Sequence, residues 1–219
     1  MSRNPDLLRC EFLGVTLRHE ERAIDRAEPA LLLARSGEAY GLNRLEYADD
    51  GATLSGPNGS ELVIRAGQTA TAGVTSLGFH EGLTRITGIL EEVFGGEPPD
   101  ALWIEDLTLI AVWDTEEPDG ARLALTKDIL QLDEERLALV SGDDPTASHG
   151  LRIWRKLDDG ALDVALEPMH SEPSRLYLRL VYSQDDPVAD LRAVCDRAES
   201  VNEYLRGALA DFVQTRASR

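Results

Sequence analysis

The sequence predicts an α+β protein: a mainly antiparallel sheet with an internal amphipathic helix and a long C-terminal helix packed on one face. Three observations carry this. Segments of alternating polarity are joined by short turns rich in Gly, Asp and Asn, the connection antiparallel neighbours use. Two other segments repeat their apolar residues at the helical period instead. Helices and strands do not alternate one for one, as parallel βαβ units require.

In the first third, Leu8, Cys10 and Phe12 alternate with polar neighbours, and Val15 and Leu17 resume after Gly14, a position suited to a bulge. Residues 20–35 carry a helix-like charge spacing, yet Pro29 stands mid-segment and Leu31-Leu32-Leu33 suits a buried strand; the balance falls toward strand. Arg44–Ala48, Ala52–Ser55 and Ser60–Ala66, separated by Asp49-Asp50-Gly51 and Gly56-Pro57-Asn58-Gly59, predict a β-meander.

Phe79, Leu83, Ile86, Leu90 and Val93 form one helical stripe, with Ser76 as the expected N-cap and Gly95-Gly96 as the stop. Ala101–Trp113 is apolar on both faces, which predicts a central strand covered on each side. Residues 121–126 are expected to return as its partner strand, and 127–140 read equally as helix or hairpin. Ser141–Gly150 reads as a polar loop. Leu151, Ile153 and Leu157 face Leu162, Val164 and Leu166 across Asp158-Asp159-Gly160, a hairpin, and Arg175–Tyr182 adds another strand. Asp186 as N-cap and Pro187 at N1 then open a helix whose stripe runs Val188, Leu191, Val194, Ala198, Val201, Leu205, Ala208 and Phe212. The chain reads as one unit over 1–219, divisible into sub-lobes 1–115 and 116–219. A strand followed by a helix recurs in both halves, but the unequal lengths argue against reading a duplication from sequence.

Composition excludes several classes. Forty acidic against 22 basic residues give a formal charge of −18, which repels a phosphate backbone, so direct nucleic-acid binding is not expected. No apolar run approaches the roughly 18 residues of a membrane span. The polar start Met1–Asp6, without an apolar signal region, and two cysteines far apart, Cys10 and Cys195, point to the cytoplasm and reduced thiols. Only Lys127 and Lys156 among the basic residues are lysines, a bias that coding composition, salt adaptation or a functional acidic face each explain.

Gly150-Leu151-Arg152, Leu166-Glu167-Pro168 and the run Pro173–Leu180, followed by an acidic turn and a long helix, resemble the C-terminal end of a sporadically distributed bacterial family of uncharacterised proteins. Arg179 departs from that pattern, where an acidic residue is expected. The resemblance implies a fold and no activity.

No dinucleotide, Walker A, zinc-protease, EF-hand or nucleophile-elbow motif is present, so no catalytic residue, cofactor or metal site is predicted. His19, His80, His149 and His170 lack ligand spacing, and Asp143-Asp144 and Asp185-Asp186 read as solvated turns in which adjacent side chains point apart. The site prediction is the face formed by Arg152, Trp154 and Lys156: alternation places an indole between two cations opposite the core, a patch for an acidic partner or a second copy of this chain. A non-catalytic intracellular interaction or ligand-binding protein, with a protein partner or a second copy of itself as the expected occupant, is the leading expectation. The alternatives are an enzyme with a dispersed acidic and histidine site, and an acidic mimic of DNA.

Overall fold

The computed structural model describes residues 8–76, 78–95, 99–115, 117–133, 135–136, 139, 149–169 and 171–217, with side chains to 213. Its strands are β1 (Leu8–His19), β2 (Arg44–Ala48), β3 (Gly51–Ser55), β4 (Glu61–Arg65), β5 (Gln68–Val74), β6 (Leu102–Asp114), β7 (Leu151–Lys156), β8 (Gly160–Pro168) and β9 (Arg175–Gln184). They form one nine-stranded sheet in the order β2-β3-β4-β5-β1-β6-β9-β8-β7, with every neighbouring pair antiparallel. The helices are α1 (Glu28–Tyr40), α2 (Phe79–Phe94), a short α3 (Gly120–Leu123), α4 (Leu191–Tyr204) and α5 (Ala210–Ala217). The α+β class follows.

One core lies between the helices and one face of the sheet. Leu13, Val15 and Leu17 of β1, Leu107 and Leu109 of β6 and Leu178 and Leu180 of β9 meet Phe79, Ile86, Ile89 and Leu90 of α2 and Val194, Ala198 and Val201 of α4, all buried. The α2 stripe is amphipathic as expected, but its N-cap is Gly78 at φ 100° rather than Ser76. Asp190, not Asp186, caps α4 by accepting the Ala193 N–H at 2.8 Å. The later start has a physical cause: Val188 is drawn into a bridge with Leu102, donating its N–H to the Leu102 carbonyl at 2.6 Å, which holds the preceding segment extended. Between α4 and α5 a wide turn over Leu205–Leu209 shifts the buried stripe to Leu209 and Val213 in place of Ala208 and Phe212.

Three further expectations fail. Residues 28–40 are helical, not extended, because Pro29 occupies the first turn, where it lacks only an N–H the helix would leave unpaired. Residues 121–126 are helical rather than a strand, α3 running on through a second wide turn over Ala124–Ile129, and β6 takes β1 and β9 as its partners. Gly14 is not a bulge: it pairs with Ala72 and Thr108, and a Cβ there would lie 3.1 Å from the Ala72 Cβ. The register shifts fall instead between Cys10 and Phe12, and between Thr16 and Leu17 opposite Ile104 and Asp106, leaving Glu11 and Glu105 unpaired in the ladder.

The β1–β6 ladder is two-fold symmetric. Leu8–Trp113 maps onto Leu102–His19, Cys10–Ala111 onto Ile104–Leu17 and Leu13–Leu109 onto Leu107–Val15, while Gly14–Thr108 maps onto itself. The skipped residues Glu11 and Glu105 are equivalent under the same operation. Outward from this axis β5, β4 and β3 correspond to β9, β8 and β7, α2 corresponds to α4, and α1 to α3. Among the described residues β2 has no counterpart in the second half.

The helices leave the other face of the sheet uncovered. Register places Arg9, Arg18, Arg44, Arg65, Arg152, Lys156, Arg175 and Arg179 there against Glu11, Glu46, Glu61, Glu105, Asp106, Asp114, Asp163 and Glu167, a balanced set. The net charge of −18 therefore resides on helices and connections.

Candidate functional site

The hairpin of β7 and β8 forms as the alternation requires. Leu162, Val164 and Leu166 enter the core, while Arg152, Trp154 and Lys156 stand on the uncovered face opposite Ala165, Asp163 and Ala161. Trp154 is 65% exposed, whereas Trp113 on β6 is 9% exposed. Trp103, also on β6, is half-buried beneath the Arg18 guanidinium, 4.7 Å from its ring centroid.

Both predicted cations are partnered. Arg152 grips Asp163 with two hydrogen bonds, Nε to Oδ1 at 2.9 Å and Nη2 to Oδ2 at 2.7 Å, and these bonds hold the Asp163 carboxyl below its ordinary range. Lys156 is ion-paired with Asp185, the residue that follows β9. Arg155 projects from the opposite face of β7 and has no ion-pair partner among the described residues. Sequence reasoning missed it because alternation assigns position 155 to the core side; at the sheet edge that side is open.

The hydrogen-bond phase of the hairpin adds what the side chains alone do not show. The Leu157 N–H donates to the Gly160 carbonyl at 2.8 Å, so Arg155, Ile153 and Leu151 bond toward β8. Arg152, Trp154 and Lys156 therefore turn their N–H and C=O groups away from β8, and among the described residues no strand lies beyond β7. One edge displays the indole, the cations and the backbone groups together.

The other chemistry-bearing residues do not converge. His19 is buried, Nδ1 at 2.8 Å from the Glu20 carbonyl and Nε2 at 3.2 Å from Thr69 Oγ1, with its ring against Phe94. His80 is exposed beside Phe79, His170 and Asp143-Asp144 lie outside the described residues, and no group of three metal-ligating side chains occurs among the described ones. His149 lines a cleft of about 780 Å³ with Glu167, Met169, Ser171 and Tyr177, whose hydroxyl burial pushes above its ordinary pKa. Cys10 is buried with Thr75 donating to its carbonyl, Cys195 is half-buried beside Thr87, and desolvation raises both thiols. No helix among the described residues is long and apolar enough to cross a membrane. Neither a protein-family model nor a curated protein sequence matches the chain.

Proposed function

We propose that this is a non-catalytic interaction protein that docks a partner through Arg152, Trp154 and Lys156. The observation that carries the reading is Trp154 itself, a large apolar side chain 65% exposed between charged neighbours on an open sheet face. Exposing an indole forgoes roughly 2 kcal/mol of burial, and Trp is the side chain most enriched where binding energy concentrates. The unpaired thiols of Cys10 and Cys195 support a reducing compartment and hence the cytoplasm.

The test is site-specific photo-cross-linking in cells. A photoreactive residue at 154 should give a discrete adduct, absent when the same residue replaces exposed Leu31 on α1 and lost when Arg152 and Lys156 become Glu. No adduct, or the same products from both positions, would refute the reading.

A further inference from the structure

The geometry points to strand addition at β7: an extended acidic segment of a partner protein pairs antiparallel with this edge and continues the sheet. The inference rests on the reading of Arg152, Trp154 and Lys156 as an interaction surface, and names its occupant.

The molecule shows what fills the corresponding place in its other half. Under the two-fold relation β3 corresponds to β7, and β3 is covered at its outer edge by β2, which pairs through Ala48–Gly51, Glu46–Thr53 and Arg44–Ser55. Thr53 and Ser55 correspond to Arg152 and Trp154, the residues whose backbone groups face outward on β7. The second half has the strand that receives β2 but, among the described residues, no equivalent of β2.

Charge decides the occupant. Leu151–Lys156 carries Arg152, Arg155 and Lys156 and no acid, while β2, the other edge, holds one of each sign, Arg44 and Glu46. A second β7 would bring like charges into register, which cross-strand pairing disfavours. Arg155 has no ion-pair partner among the described residues, and Arg152 and Lys156, each held by a single acid, keep Nη1 and ammonium hydrogens in excess of that one pairing, so an acidic segment finds donors on both faces of β7. On the uncovered face, cross-strand pairing asks for acid opposite Arg152, an aliphatic side chain against Trp154 and acid opposite Lys156. The occupant thus reads acid, any, aliphatic, any, acid, with backbone bonds supplying affinity and the alternate side chains supplying register.

The test uses the full chain and a capped heptapeptide, Thr-Glu-Val-Leu-Val-Glu-Thr, followed by Trp fluorescence and by amide exchange. In the free protein the amides of Arg152, Trp154 and Lys156 should exchange fast, and peptide should slow them and shift Trp154 emission to the blue. Replacing both peptide Glu by Lys, or Trp154→Ala in the protein, should weaken binding at least tenfold. N-methylation of the peptide at Leu and both Glu, which keeps its side chains and removes the N–H groups aimed at β7, should abolish it. Binding that survives N-methylation overturns strand addition while leaving the surface reading intact. Slow exchange in the free protein means the edge is already occupied, and absence of binding to a fast-exchanging edge means its cations serve to keep strands off; either result defeats the inference.

Discussion

Replacing Trp154 by Ala separates an exposed interaction residue from a core residue by magnitude. A fully enclosed Trp covers roughly 250 Å². With 65% of Trp154 exposed, about 90 Å² is covered, an upper bound of about 2 kcal/mol at ~25 cal/mol/Å². Alanine keeps part of that contact, so the expected cost is about 1 kcal/mol, or about 2–4 °C in Tm for a chain of this length. Trp113, 9% exposed on the central strand β6, is the internal standard, and its truncation should cost about 3–5 kcal/mol and lower Tm by about 6–20 °C. Acrylamide quenching gives an independent reading, since the quenchable fraction of Trp emission should fall in Trp154→Ala and persist in Trp113→Phe. Thermal unfolding of both variants decides: if Trp154→Ala lowers Tm as far as Trp113→Ala, the indole is covered in solution and the interaction surface loses its premise.

Gly51→Ala should destabilise by more than 2 kcal/mol in denaturant titration, because the added Cβ would lie 1.9 Å from the Ile64 backbone carbonyl oxygen, which cannot move without breaking the β3–β4 pairing; a change under 1 kcal/mol would contradict the packing. Burial pushes the Tyr182 phenol up to about 12, so its neutral form stabilises the fold below the unfolded value near 10, and that contribution is lost as pH rises through the folded value; absorbance at 295 nm should show a late-ionising component whose last step is missing in Tyr182→Phe. Glu92 on α2 accepts hydrogen bonds from Ser36 Oγ at 2.6 Å and from Arg35 on α1, which depress its pKa. Its stabilisation is therefore present above the unfolded value of about 4.3 and fades as pH falls, and Glu92→Gln should flatten the acid limb of a Tm-against-pH curve. Deleting 187–219 removes buried Val188, Val194, Ala198, Val201, Leu205, Leu209 and Val213 from the core and should leave an insoluble or unfolded chain, whereas a cooperative melt near the parent's would show the helix to be dispensable.

What the sequence made legible, and what it hid, follows from how each element uses its side chains. The 151–168 hairpin was readable because large apolar residues alternate cleanly about an Asp-Gly turn, but alternation sets which face a residue occupies and not whether anything covers that face. Trp154 thus needed the structure. Strand β5 escaped notice altogether: its inward positions are Thr69, Thr71 and Gly73, and its outward ones Ala70 and Ala72, so no hydrophobic period exists to find. Those small residues fit their surroundings, since Thr71 donates to the Glu61 carbonyl at 3.1 Å and the Arg85 guanidinium lies over Gly73, 2.1 Å from where a Cβ would be. The strand lean for 20–35 failed by treating Pro29 as an interior breaker when it opens the helix. The two-fold relation is echoed in the sequence by Leu8-x-x-Glu11-x-Leu13 against Leu102-x-x-Glu105-x-Leu107, a likeness too short to weigh without the ladder.

A ladder that maps onto itself has an edge that is its own complement. Were the first half produced without the second, β1 would present to solvent the row of groups that β6 now satisfies, and another β1 could supply the same row in reverse, Leu13 against Val15 and Gly14 against Gly14. The chain is in this sense a two-subunit assembly with a covalent link between the subunits. The two halves differ at their outer edges: the first carries β2 outside β3, whereas among the described residues no strand lies outside the cationic β7 of the second.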